Sequence, residues 1–234
     1  MAYVSMLFYW VSHHPFLIML GFPPALVAIG TLLGVLKLSR AAVLSFALAG
    51  ATFVFGSVNI FLGGMANAAF LNAFGVEGRA VIVDARETSS RLNEQPVWAY
   101  DAVVRTADGQ DADTSFNTMT ASLWPIRNQI LIPPRGENFV VKYVPGFPRN
   151  IVIMTDLSPS GQRRLLAQNR APVDRAERRL AASPDNTRFR EDYRRALSDF
   201  LRDHREADPR VTAEFERRLA ALNAEDGTPA SLQS

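Results

Sequence analysis

Two stretches of this chain, Phe16–Leu36 and Ala41–Gly64, contain no charged residue, and only Lys37-Leu38-Ser39-Arg40 separates them. At 21 and 24 residues, both exceed the roughly 20 residues that cross about 30 Å of hydrocarbon as a helix. A buried helix pair in a soluble protein is the alternative. Two consecutive uncharged runs of this length point instead to a transmembrane helical hairpin over residues 16–64.

The first arm carries Pro23-Pro24 after Gly21-Phe22. Two missing backbone donors predict that the helix kinks or splits there, with a re-entrant segment as the alternative. Gly30-Thr31-Leu32-Leu33-Gly34 is a GxxxG, and Ser45/Ala49 and Ala47/Ala51 repeat small residues four apart on the second arm. This spacing lets helix backbones approach closely, so Gly30, Gly34, Ala47 and Ala51 are the expected packing positions, between the two arms or between copies. Asn59 lies deep in the second run and is expected to hydrogen-bond across to the first arm, to backbone or to water.

Lysine and arginine near a membrane prefer the cytoplasmic side. Lys37 and Arg40 lie in the turn, the N-terminal flank has neither residue type, and Arg79 is the first cation after Gly64. The turn is therefore expected inside, with both ends of the chain and the soluble part outside the cytoplasmic membrane. Residues 1–15 lack the cationic start and cleavage pattern of a signal peptide. Their aromatic run Phe8-Tyr9-Trp10 reads as an interfacial segment or an extension of the first helix. His13 and His14 are adjacent, so on a helix they point about 100° apart, and no third ligand is near. No metal or cofactor is expected.

The 25 Lys and Arg exceed the 23 Asp and Glu by two, and Lys37 and Arg40 account for that excess. What lies outside the turn is charge-balanced, without a one-signed face to follow phosphates, so nucleic acid is not an expected partner. Cysteine is absent and gives no information on compartment.

Residues 65–77 read as a connector, after which the period changes to two. Arg79–Arg86 and Val97–Arg105 alternate as strands, Asp108-Gly109 supplies a tight turn, and Asp111–Asn117 returns as a third strand. Glu137–Val144 and Ile151–Met154 follow, separated by Pro145-Gly146-Phe147-Pro148. Residues 78–156 therefore predict a small all-β domain, an antiparallel sandwich or open barrel. Asp108, Asp111 and Asp113 lack the spacing of a calcium loop.

The pattern Gly78-Arg-Ala-Val-Ile-Val83, Tyr100-Asp-Ala-Val-Val104, the Asp108-Gly109 turn and Gly136-x-x-Phe-Val-Val-Lys-Tyr143-Val-Pro145, preceded by a membrane helix, resembles a large bacterial membrane-protein family catalogued only as a domain of unknown function. The resemblance covers about residues 60–155. It implies a β-domain beside transmembrane helices and brings no activity with it. Members often place that domain between two membrane helices, whereas here both helices come first and a helical tail follows.

Residues 158–226 read as an amphipathic helical tail. Ser158-Pro159 and Asp208-Pro209 are helix starts, and a first helix bearing Leu165, Leu166 and Leu180 is expected to break at Pro172. Phe189, Tyr193, Leu197, Phe200 and Leu201 form one apolar stripe; Val211, Phe215, Leu219 and Leu222 form another. Asp174/Arg178, Glu191/Arg195 and Glu214/Arg218 are acid-first pairs four apart, each worth a few tenths of a kcal/mol. A solvated helical bundle is expected, with a docking module for a helix or anionic lipid as the alternative. Residues 227–234 read as a disordered end.

No pairing of nucleophile and base stands out, since none of the three histidines falls in the β-domain. The expected function is that of a non-enzymatic integral membrane protein of the bacterial envelope. Its partners would be the lipid bilayer and either another protein or a second copy. A membrane-anchored hydrolase using Asp101 and Glu137, or an oligomeric transporter or channel accessory subunit, is the alternative.

Overall fold

The computed structural model describes residues 1–204, 206 and 208–227, with side chains through residue 224. The chain divides into two compact units, Met1–Gly161 and Gln162–Ser234. Apart from Gly227, which closes the last helix, the expected disordered end lies outside the described residues.

The first unit begins with four helices: α1 (Ala2–His13), α2 (Pro15–Leu20), α3 (Phe22–Val35) and α4 (Ser39–Phe74). Residues 1–15 are thus mostly a helix of their own, ended at His14 by a non-helical backbone. Gly21 between α2 and α3 keeps helical angles, φ −90° and ψ −51°. Pro23 and Pro24 fall in the first turn of α3, where backbone N–H groups lack intrahelical partners anyway. The α2–α3 segment Pro15–Val35 and helix α4 are each long and apolar enough to cross a membrane, their most apolar 18-residue windows having mean hydropathies of 2.1 and 1.9.

α3 ends in a Schellman motif: Leu38 N–H donates to Leu33 O at 2.9 Å and Lys37 N–H to Gly34 O at 3.0 Å. Lys37 holds the left-handed position, φ 59°, where glycine is usual.

α4 packs through a heptad. Ala42, Ala49, Gly56 and Gly63 are buried seven residues apart, and Ser45, Thr52 and Asn59 form the companion row. Small residues every seven keep one face of a long helix against its neighbours. A Cβ on Gly56 would stand 2.6 Å from Met19 Cα and N, so the backbone of α2 rests in this notch. Ser45 Oγ donates to Leu26 O at 2.6 Å and ties α4 to α3.

For packing between the two arms of one copy, this arrangement corrects the sequence expectation. Gly30 does face the second arm, against the Phe46 ring, whereas Gly34 has open space around its Cβ position and Ala47 and Ala51 are exposed. Spacing four placed those alanines on one face, but the heptad puts the opposite face inside. Gly56→Val is expected to force α2 off α4 and lower stability by about 1–3 kcal/mol, read as a lower melting temperature in detergent. An unchanged melting temperature would refute the notch.

The β-domain follows without a linker. Its strands are β1 (Val76–Leu92), β2 (Gln95–Arg105), β3 (Asp111–Asn117), β4 (Leu123–Trp124), β5 (Asn138–Val144) and β6 (Phe147–Met154), in the sheet order β3-β2-β1-β5-β6-β4. β4 runs parallel to β6, Leu123 beside Ile153 and Trp124 beside Met154, and the other pairings are antiparallel. The expected purely antiparallel sheet is therefore corrected to a single mixed one. The physical reason is that the segment after β3 comes back beside β6 in the direction of β6.

β1 and β2 turn through Asn93 and Glu94, both at positive φ (49° and 66°), the requirement of a tight hairpin turn. The sheet curls until Thr114 Oγ1 on β3 donates to Arg149 O on β6 at 2.6 Å. Ile82, Val104, Phe139, Val141 and Ile153 fill the concave side.

The second unit contains most of α5 (Pro159–Ala182), with α6 (Thr187–Asp203) and α7 (Pro209–Gly227). Val173, Tyr193, Leu197, Phe200, Val211 and Phe215 form its core. α5 does not break at Pro172. The bond lost to the missing N–H is offset by burial of the next residue, Val173. Asn186 caps α6 by accepting Phe189 N–H at 3.2 Å, and Asp208 caps α7 by accepting Arg210 N–H at 2.8 Å.

Of the expected helical ion pairs, Glu214–Arg218 forms at 2.5 Å, whereas Asp174 turns to Arg170 at 3.7 Å and leaves Arg178. Arg218 also reaches Tyr193 Oη and Glu177. These contacts hold its guanidinium pKa above the usual value, Tyr193 contributing most.

Candidate functional site

α4 is longer than a bilayer crossing requires, and its last turns lie on the sheet. Ala68, Phe70 and Leu71 pack on Val144, Val152 and Met154, which alternate in β5 and β6 with the residues of the concave core. α1 closes the layer, its Phe8 ring stacked on Phe70 at 4.6 Å.

Within this apolar layer four neutral polar side chains meet: Ser5 of α1, Asn67 of α4, Ser122 just before β4 and Asn150 of β6, all buried. Asn67 Nδ2 donates to Asn150 Oδ1 and Asn150 Nδ2 to Asn67 Oδ1, both at 2.9 Å. The remaining Asn67 N–H goes to Ser122 Oγ at 2.8 Å; that of Asn150 is shared by Ser5 O and Ser5 Oγ, each at 3.0 Å. All four amide hydrogens are committed. A network completed in this way fixes one geometry, because any shift of α1 or α4 on the sheet strands a buried polar group.

Further bonds support the junction. Lys142 Nζ on β5 donates to Asn72 O at 2.9 Å, near the end of α4. The Ser158 hydroxyl, an expected helix cap, instead accepts Val140 N–H at 3.1 Å and donates to Met154 O at 2.8 Å. Arg127 grips Asp156 through two bonds of 2.6 Å, which raise the pKa of its guanidinium.

Beside the network is a crevice of about 10 Å³ bordered by Tyr9, His13, Thr114, Ser122, Arg149 and Asn150, room for about one water molecule. His13 Nδ1 lies 2.9 Å from Tyr9 O. A carbonyl only accepts, so Nδ1 carries the proton. Nε2 is then an acceptor, buried with no hydrogen-bond partner among the described residues. Burial lowers the imidazole pKa, against the opposing pull of the Tyr9 carbonyl.

The sequence-predicted positions fall elsewhere. Asn59 Nδ2 donates to Val11 O of α1 at 2.6 Å, a backbone partner outside the hairpin. Lys37 and Arg40 flank the turn between α3 and α4. Asp101 pairs with Arg86 on β1 at 2.5 Å, and Glu137 precedes β5. Among the described residues no three His, Cys, Asp or Glu side chains converge.

Sequence reasoning missed Ser5, Asn67, Ser122 and Asn150. The one local signal was an asparagine continuing a small-residue helix face, with Asn67 eight residues after Asn59. Comparison with family models, with curated proteins and with solved structures finds no match to this chain.

Proposed function

We propose that this chain is an integral membrane protein in which the α2–α3 segment and α4 cross the bilayer. Its β-domain is a non-catalytic adaptor, fixed to the helices and presented to protein partners in the bacterial envelope. The observation that carries this reading is the buried Ser5–Asn67–Ser122–Asn150 network, which joins α1, α4 and the sheet. A sheet on a flexible tether would have no use for it.

Membrane insertion is supported by how little of the apolar helices the protein covers: 11% and 22% of their most apolar windows are buried. A core helix of a soluble protein would be mostly buried. Orientation rests on Lys37 and Arg40. Lys37 occupies a left-handed position at a steric disadvantage to glycine, as expected where the charge itself is needed. The turn then faces the cytoplasm, and the β-domain lies outside it. The family resemblance over residues 60–155 belongs to the same proposal.

Alkaline phosphatase and a cytoplasm-only fluorescent protein, each fused after Ser234, test the reading. Phosphatase activity without fluorescence is the expected result. Fluorescence without phosphatase activity would reverse the orientation, and a chain released by alkaline carbonate would end the membrane reading.

A further inference from the structure

In the second unit α5 and α6 border an open groove of about 800 Å³. Pro172, Ala176 and Ala182 of α5 and Ala196 of α6 make its floor, and arginines of α5 and Asp192 of α6 stand at its rim. α5 is strongly basic, with six arginines against two acids. Those two acids are engaged away from the groove, Asp174 with Arg170 and Glu177 with Arg218. Arg179 lies over the Phe189 ring at 5.1 Å. Arg175 and Arg178 have no ion pair or hydrogen bond among the described residues.

We propose that this groove docks an acidic amphipathic helix of a partner protein, large apolar side chains resting on the alanine floor and carboxylates meeting Arg175 and Arg178. It deepens the adaptor reading and rests on it for the existence of a partner. Charge complementarity selects an acidic occupant, and two features select a helix over an anionic bilayer.

A helix that binds a membrane surface inserts large apolar residues, but the described part of the second unit exposes none; the last exposed large hydrophobic among the described residues is Leu157. An alanine floor also gives a bilayer little to grip, whereas small residues let a partner helix come close. Apolar anchors in a groove, flanked by salt bridges, are a common mode of helix recognition, and arginine is enriched at such contacts.

The test uses the full chain in phosphatidylcholine nanodiscs. A fluorescein-labelled synthetic helix, with leucines at spacings of three and four flanked by glutamates, is titrated by anisotropy beside a peptide of the same composition in scrambled order. The ordered peptide is expected to bind about tenfold tighter than the scrambled one. Arg175→Glu with Arg178→Glu, and separately Ala182→Trp, which fills the exposed end of the floor, should each weaken it by about tenfold with unchanged circular dichroism. Equal affinity for the two peptides, indifference to these substitutions, or a preference for phosphatidylglycerol vesicles over the peptide would overturn the inference. The fusion assay reports separately, so a failed titration beside an active phosphatase removes the groove and leaves the membrane reading standing.

Discussion

Asn150→Leu is expected to destabilise the first unit by about 3–5 kcal/mol, against the 1–3 kcal/mol typical of one buried group left without a partner. Asn150 is 1% exposed, and its amide is bonded to Asn67 and Ser5. The substitution removes both halves of the reciprocal amide pair, strands the Asn67 carbonyl and one of its N–H groups, and withdraws the donor from Ser5. The measurement is thermal unfolding of the detergent-purified chain, with limited proteolysis reporting release of α1.

A double variant, Asn67→Leu with Asn150→Leu, separates the network from bulk effects. Removing both members of a buried pair leaves fewer orphaned groups, so the double variant should be more stable than the sum of the two single losses predicts. Additive losses, or a single-variant effect below about 1 kcal/mol, would show that the junction is held by its apolar layer alone.

Phe215→Ala is expected to remove about 3–5 kcal/mol from the second unit. Phe215 is fully buried, meets Phe200 edge to face at 4.8 Å, and lies beneath the guanidinium groups of Arg170 and Arg218 at 5.5 and 5.9 Å. Most of the loss is burial and cavity; the aromatic pair adds about 0.5–1.5 kcal/mol. The two units have separate cores. Amide hydrogen exchange should therefore accelerate through α5, α6 and α7 while β1, β2 and β5 stay protected. Acceleration spread evenly over both units would mean that they unfold as one.

Much of the fold could be read locally. β3 begins and ends where the alternation of Asp111–Asn117 does, and α7 begins where Asp208-Pro209 announces a cap. The heptad of Ala42, Ala49, Gly56 and Gly63 was present in the sequence too. Repeats at spacing four drew attention to Ala47 and Ala51 because a glycine-rich apolar helix offers several small-residue periods at once. Only a neighbour decides which of them is buried. Glu94 hid the first hairpin turn, since a glutamate at positive φ carries none of the usual turn signature.

The candidate site was almost invisible in advance. Ser5 and Asn150 are 145 residues apart and Asn67 and Asn150 are 83 apart; each reads locally as an ordinary polar residue. Likewise, Asp174 four residues before Arg178 is a sound helical pair until Arg170 competes for the carboxylate and Arg178 is left at the rim of the groove. The sequence alone determined the apolar runs, the strand periods and the Asp208 cap, because each depends on residues within a few positions of one another. The parallel β4, the amide network and the open face between α5 and α6 were decided by tertiary structure, because long-range contacts satisfy a buried polar group or leave a charge free, and neither outcome has a local period.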